Sequence, residues 1–177
     1  MAESQPFLNR KLIVAIIAGQ ADVFFETEKL LQTLYGPIDI QSEMFAFEET
    51  DYYEKQMGGV LLHRKFISFE QLIDPEQLSD IKITTNRLEK KIQECFSCSH
   101  RIVNIDPGIL DSSSLIMATV KDFAHRVPLK KGIYGHLELL FGRDKVKKVE
   151  WTYPDFRKKT YHPFLLKARK KYLSQIK

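Results

Sequence analysis

Residues 12–18 form an uninterrupted apolar run of strand length that is rich in β-branched side chains. Such a run is typical of a central β-strand that is covered on both faces. Over residues 22–35 the apolar spacing changes to threes and fours, which predicts an amphipathic helix stopped by Gly36 and Pro37. Its predicted buried face contains Val23, Phe24, Thr27, Leu30, Leu31 and Leu34. The chain therefore begins with a strand and a helix.

The next segments, residues 38–47 and 60–69, have the composition of strands and are separated by a polar stretch with a Gly pair at its end. A second helix follows, with Asp74 as its N-cap, Pro75 in its first turn and Gln77 closing a capping box. Its predicted buried stripe is Leu78, Ile81, Thr85, Leu88, Ile92 and Cys95. The adjacent stripe of the same helix is polar and consists of Lys82, Asn86 and Glu89.

The C-terminal half is predicted to be mostly strands. Residues 100–106 are strand-like and precede a predicted turn at residues 106–108, Asp-Pro-Gly. Residues 115–121, 126–129, 133–141 and 146–152 then suit an antiparallel meander, although residues 112–126 also fit a helical spacing. A final helix is predicted over residues 161–177.

This order predicts an α+β fold. Residues 12–106 give β-α-β-β-α-β, the order of a ferredoxin-like sandwich with two helices on one face of an antiparallel sheet. The meander and the final helix extend that unit. We expect one domain over residues 1–177, with the first ten residues disordered.

Charge is distributed unequally along the chain. Residues 1–119 carry 11 Lys and Arg against 18 Asp and Glu, a net charge of −7, whereas residues 120–177 carry 16 against 5, a net charge of +11. The basic part suits a phosphate-bearing ligand or an acidic protein partner, and it could equally pair with the acidic part of its own chain.

The cysteine content favours a reducing compartment. The two cysteines, Cys95 and Cys98, exclude a framework of several disulfides, so we expect a cytoplasmic protein. Their spacing is that of a redox or zinc pair, but they fall at a predicted helix C-terminus, where the dipole disfavours a thiolate. No metal site is therefore predicted. No apolar run reaches the length of a membrane-spanning helix, and no membrane association is expected.

The candidate chemistry lies in residues 101–126. The chain has no phosphate-binding P-loop, no dinucleotide-binding glycine motif and no zinc-protease or serine-hydrolase motif. Asp106 and His125 are the candidate acid and base, and Lys121 and Arg126 the candidate phosphate ligands. Because Lys82 and Asn86 lie beside the buried stripe of the second helix, we expect them to face the same pocket. The alternative is a surface cluster of ion pairs.

Two further groups are candidates for ligand binding. Asp51, Tyr52 and Tyr53 combine phenols with a carboxylate, which suits recognition by stacking and hydrogen bonding, or a loop held down by two tyrosines. Trp151 and Tyr153 precede a basic stretch and could stack on a nucleobase, although a lone Trp at a strand end is more often part of the core.

Several short segments carry a resemblance: TDYYEKQMG, LIDPEQLSDIKITTNRLE, VNIDPG, ATVKDFAHR, GIYGHLEL and WTYPDF. With these segments the chain resembles, over nearly its whole length, a prokaryotic family catalogued as a domain of unknown function. Some members are labelled GTP-binding, but this chain lacks every P-loop element. The resemblance implies no mechanism.

Two functional hypotheses remain. The first is a protein that binds or processes a phosphate-bearing ligand, a nucleotide or RNA, without a P-loop. The second is a non-catalytic interaction module whose basic C-terminal face docks on an acidic protein. Whether the protein is an enzyme stays open, and no cofactor is indicated.

Overall fold

The protein is described by a computed structural model that covers residues 3–48 and 57–177. The strands of these residues form one antiparallel sheet. They are β1 (Arg10–Ala18), β2 (Ile38–Gln41), β3 (Phe45–Ala46), β4 (His63–Ile73), β5 (Val103–Leu110), β6 (Ser114–Thr119), β7 (Arg126–Pro128), β8 (Tyr134–Phe141) and β9 (Val146–Lys148). The helices are α1 (Ala21–Tyr35), α2 (Leu78–Cys95) and α3 (His162–Gln175).

Strand β1 lies in the middle of the sheet, between β4 and β5. Its residues alternate between two apolar clusters: Leu12, Val14 and Ile16 pack with α1 and α2, whereas Ile13 and Ala15 pack with α3. Because both faces are covered, every side chain from residue 12 to residue 18 is fully buried. The predicted central strand is confirmed.

The strand order is β2-β4-β1-β5-β6-β8-β7, with β3 paired to β4 and β9 paired to β8. Helices α1 and α2 share one face of the sheet, and α3 covers the other. The predicted α+β class is confirmed, while the ferredoxin-like description remains a prediction. The final helix therefore builds a third layer, since Leu165, Ala168 and Tyr172 are buried against the sheet.

The two predicted N-terminal helices exist with small differences. In α1 the buried positions are Val23, Phe24, Thr27 and Leu31, but Leu34 is 49% exposed. Ahead of α2, Asp74 accepts a hydrogen bond from the backbone N–H of Glu76 at 2.9 Å, and a 3-10 turn (Pro75–Gln77) leads into the helix. The buried stripe ends at Ile92; Cys95, the last residue of α2, is exposed, so its predicted burial is wrong.

The predicted turn at residues 106–108 is wrong, because β5 continues through it. Pro107 pairs with Val14, and pairing between β5 and β6 covers only residues 108–110. Pro107 lacks an N–H, and pairing with β6 begins only at the residue after it. A Cβ at Gly108 would lie 2.8 Å from the Ile116 carbonyl oxygen, so the glycine permits the close approach of β6.

Other boundaries also differ from the predictions. Residues 112–126 contain β6, so the helical alternative for this segment is wrong. The strand predicted at residues 60–69 is β4, which begins at His63 and extends to Ile73 because it pairs with the whole of β1. Arg10 belongs to β1, and its guanidinium donates to the Tyr172 hydroxyl at 2.9 Å, so the predicted disordered terminus is too long by at least this residue.

Among residues 3–48 and 57–177 no helix is long and apolar enough to cross a membrane.

Candidate functional site

The sheet opens between β5 and β6 at Ile105. Its N–H donates to the Glu89 carboxylate at 2.7 Å, and its carbonyl accepts from the Lys82 ammonium at 3.0 Å. Two side chains of α2 thus satisfy backbone groups that a neighbouring strand would otherwise pair, since a buried N–H or C=O needs a partner. Two members of the polar stripe of α2, Lys82 and Glu89, therefore take the place of a strand partner at this point.

A cavity of about 280 Å³ occupies this opening. The described residues of its wall include four cationic side chains, Arg64, Lys82, Arg101 and Lys121, and two carboxylates, Asp106 and Asp155. The remaining lining residues are polar, aromatic or apolar: Phe47, Asn86, Asn104, Met117, Ala118, Thr119, Val120, Tyr153, Pro154 and Phe156. Positive charge therefore exceeds negative charge among the described lining residues.

Lys82 and Asp106 form an ion pair at 2.8 Å, with side chains 6% and 27% exposed. Asn104 donates a further hydrogen bond to the Asp106 carboxylate. Burial alone would raise the pKa of Asp106, but the charges of Lys82 and Arg64 and the hydrogen bonds lower it below its usual value. Asp106 is therefore a carboxylate at neutral pH, and it faces the cavity as an acceptor.

Glu89 is not among the residues that line the cavity, but it holds lining residues in place through hydrogen bonds. Its carboxylate accepts from the Arg101 guanidinium at 2.6 Å, and Arg101 also donates to the Asn104 side chain. Burial raises the pKa of Glu89, and the charges of Arg101 and Lys82 oppose that rise. The sequence placed Glu89 beside Lys82 and Asn86 but gave no reason to assign it a role, because its acceptor function depends on the backbone of β5.

The cavity lining contains a second ion pair, between Arg64 and Asp155 at 2.7 Å. Both side chains are less than 10% exposed, and the Arg64 guanidinium lies 4.9 Å from the Phe47 ring centroid. Arg64 was not predicted as part of the site. Arg64 has no distinguishing signal in the pattern of β4, whereas Asp155 lies in the WTYPDF segment.

Beside the cavity lies an open groove of about 510 Å³, lined by Phe123, His125, Arg126, Glu150, Trp151 and Tyr153. Its rings are in contact. His125 stacks on Trp151 with centroids 5.1 Å apart and an interplanar angle of 10°, and Phe123 lies 5.2 Å from His125. The Arg126 guanidinium lies 5.6 Å from the Tyr153 ring centroid and donates to its hydroxyl.

A buried pair of residues on β8, His136 and Glu138, underlies the groove. His136 Nδ1 accepts from Arg126 Nε at 3.3 Å, and its Nε2 lies 3.0 Å from the Glu138 carboxylate. Glu138 also accepts from the Tyr153 N–H at 2.8 Å, and burial raises its pKa. These two residues fix Arg126 and Tyr153. The only sequence signal for them is their alternation in the GHLEL segment.

The predicted site residues fall into two places. Lys82, Asn86, Asp106, Lys121 and Tyr153 line the cavity. His125, Arg126 and Trp151 line the groove instead, and Tyr153 contributes to both. Asp106 and His125, the candidate acid and base, therefore do not share one pocket. The predicted residues Asp51, Tyr52 and Tyr53 lie outside the described residues.

The loop between β6 and β7 explains this separation. Arg126 Nη1 donates to the Lys121 carbonyl at 2.8 Å, which closes the loop. Lys121 is then directed to the cavity wall, and His125 packs on Trp151 in the groove. A loop of this kind has no sequence period from which the directions of its side chains could be predicted.

The cysteine pair lies apart from both places. Cys95 is exposed and Cys98 is half-buried, with its Sγ 3.5 Å from the Phe96 carbonyl oxygen. In the part of the chain that the structure describes, no three His, Cys, Asp or Glu side chains are grouped as metal ligands.

A family model described as a domain of unknown function, DUF4416, matches residues 9–172 of the chain. The chain belongs to this family. The resemblance inferred from the sequence segments is thereby confirmed, and all residues of the cavity and the groove lie inside the matched range. No curated protein and no solved structure matches the chain.

Proposed function

We propose that the protein binds a small phosphate-bearing molecule in the cavity between β5 and β6. The observation that supports this most directly is the wall itself, where the described residues place four cationic side chains and two carboxylates around a recess of about 280 Å³. Ammonium and guanidinium groups are the side chains that bind phosphate oxygens most strongly. The recess is near the lower end of the range for small-molecule pockets, which favours a metabolite over a nucleic-acid duplex.

The residues of the wall have different roles in this proposal. Lys121 is exposed at the cavity and would meet the phosphate first, whereas Lys82 is buried and engaged with Asp106. Asn86 and Thr119 add neutral hydrogen-bonding groups. Asp106 is ionised, so it would accept hydrogen bonds from hydroxyl groups of the ligand or act as a base. Because His125 lines the groove and Asp106 the cavity, these two residues are not proposed to act as a paired acid and base.

A cytoplasmic location belongs to the same proposal, because two cysteines without a disulfide framework suit a reducing compartment. Phosphorylated metabolites are abundant there, so the site would have its ligand available.

The test is a calorimetric titration with inorganic phosphate and with ribose 5-phosphate. We expect binding that weakens at high salt and weakens about tenfold in Lys121→Gln, a loss of about 1.4 kcal/mol that is reasonable for one charge-assisted hydrogen bond. Lys91→Gln is the matched control, since Lys91 is exposed on α2 and does not line the cavity. Absence of binding by the wild type, or an equal loss in both variants, contradicts the proposal.

The basic C-terminal face supports a second candidate, docking on an acidic protein. Lys167, Lys170 and Lys171 are exposed on α3, which contains no acidic residue. We propose that this surface would bind an acidic peptide independently of the cavity. A polyglutamate titration measures it: Lys167→Glu with Lys170→Glu should abolish binding of the peptide and leave phosphate binding intact. Equal peptide binding by the variant would exclude this candidate.

A further inference from the structure

The groove exposes aromatic surface that the fold does not need for its core. Phe123 is 63% exposed and Trp151 is 36% exposed, and they lie on the same groove. Large apolar side chains that are exposed together and rimmed by polar groups are typical of a binding surface. The groove meets the cavity at Tyr153, which lines both. One ligand could therefore occupy the two places.

The Trp151 ring is held in place by the rest of the fold. The Trp151 indole N–H donates to the Leu137 carbonyl at 2.8 Å, and one face of the ring is stacked on His125. His125 also makes an edge-to-face contact with His136 at 4.9 Å, and the His136 ring is stacked on Tyr153 at 4.7 Å. A ring held by a hydrogen bond and by stacking loses little conformational entropy on binding, which favours recognition of a flat group.

The cavity and the groove differ in charge. Among the described residues that line it, the groove has one guanidinium, Arg126, and one carboxylate, Glu150. Burial, His136 and Arg126 lower the pKa of His125, so its imidazole is neutral at pH 7. The cavity has the excess of cations described above. An anionic group is therefore stabilised in the cavity, and a neutral group fits the groove.

We propose that the ligand is a nucleotide, with its phosphate in the cavity and its base stacked on Phe123 and Trp151. This inference rests on the proposed phosphate-binding function and adds the class of ligand. Arg126 can donate hydrogen bonds to the edge of the base and Glu150 can accept them, which gives the groove both kinds of polar partner that nucleobases use. Stacking of a base on aromatic side chains tolerates any base, so the geometry assigns no particular one.

The experiment compares ribose 5-phosphate with the four nucleoside 5′-monophosphates by calorimetry. We expect at least one monophosphate to bind about tenfold or more tightly than ribose 5-phosphate, because base stacking contributes on that order. Phe123→Leu should remove most of that gain and leave the affinity for ribose 5-phosphate unchanged. Phe25→Leu is the matched control, since Phe25 is 70% exposed on α1, on a different element from either site.

The outcomes separate this inference from the function on which it rests. If ribose 5-phosphate binds as tightly as every monophosphate, the stacked base is wrong and the phosphate site stands. If neither ribose 5-phosphate nor any monophosphate binds, both are wrong. A loss of nucleotide binding that is equal in Phe123→Leu and Phe25→Leu also overturns the inference.

A nucleotide can be free or can be the 5′ end of an RNA, and a 5′-phosphorylated RNA trinucleotide distinguishes the two. Tighter binding of the trinucleotide than of the mononucleotide assigns the site to an RNA end, and weaker binding assigns it to a free nucleotide.

Discussion

The cavity and the groove share Tyr153, yet they are built from opposite kinds of contact. The cavity wall consists of ion pairs, Lys82 with Asp106 and Arg64 with Asp155, three of whose four side chains are less than 10% exposed. The groove consists of stacked rings with Phe123 and Trp151 exposed. Charged groups can be buried only with partners, whereas ring faces can remain in water at modest cost. The cavity is therefore more sensitive to substitution than the groove.

The surface ion pairs of the protein sharpen this comparison. Asp80, at the start of α2, contacts Lys130 at 2.8 Å and Lys131 at 2.7 Å, but all three side chains are more than 40% exposed. In water such pairs contribute little, since the charges are solvated with or without a partner. They also show that part of the basic C-terminal segment pairs with the acidic part of its own chain.

The largest expected effect on stability comes from the buried ion pair between Arg64 and Asp155. We expect Asp155→Ala to lower the free energy of unfolding by about 3–5 kcal/mol, because it removes a carboxylate from a guanidinium in a site that water hardly reaches. Urea unfolding followed by circular dichroism gives this value.

Asp80→Ala is the control for that experiment, because it removes the same group from an exposed pair. Its midpoint of unfolding should stay close to that of the wild type. If the two variants lose similar stability, burial is not what distinguishes the cavity wall.

The second prediction concerns how the stability contributed by the ion pair between Lys82 and Asp106 depends on pH. Asp106 has a pKa below its ordinary 3.8 in the folded protein, so its stabilising contribution is present above 3.8 and is lost as the pH falls through the folded value. Lys82→Met removes the nearest cation and leaves the burial that raises the pKa. With its pKa raised in the variant, Asp106 should contribute a smaller loss of stability in acid than it does in the wild type. The stabilities of the two proteins should therefore converge as the pH falls, from a difference of about 1–3 kcal/mol at neutral pH for the unpaired carbonyl and carboxylate.

Urea midpoints measured between pH 3 and pH 7 test this shift. Asp106→Asn is the control, because without this carboxylate the difference between Lys82 and Met should depend on pH only through Glu89, whose pKa the charge of Lys82 also lowers. If the urea midpoints of the wild type and of Lys82→Met change by the same amount between pH 7 and pH 3, Lys82 does not set the pKa of Asp106.

These differences also explain which features could be predicted from the sequence. The spacing of Leu78, Ile81 and Leu88 identified the face of α2 that packs on the sheet, and the residues beside it, Lys82 and Asn86, were correctly directed to a pocket with Asp106. Hydrophobic periodicity carries this information because it fixes the rotation of a helix about its axis.

Other features depend on contacts between distant segments and leave no periodic signal. Arg64 and Asp155 are 91 residues apart, and nothing local indicates that they meet. The turn predicted at Pro107 and Gly108 failed because the local turn signal was overridden by pairing of β5 with β1. His125 was assigned to the wrong place because its direction is set by stacking on Trp151.

The smallest expected effect is the titration of His125 in the groove. Burial lowers the pKa of this imidazole below 6.5, and the neighbouring His136 and Arg126 lower it further. A folded protein that binds this proton more weakly than the unfolded chain loses a little stability as the pH falls from 6.5 through the folded pKa. The Hε1 resonance of His125 in an NMR pH titration should therefore move with a midpoint below 6.5. Trp151→Leu removes the stacked ring and admits water, so the midpoint should rise in that variant, whereas a wild-type midpoint at or above 6.5 would show that the ring stack does not shield His125.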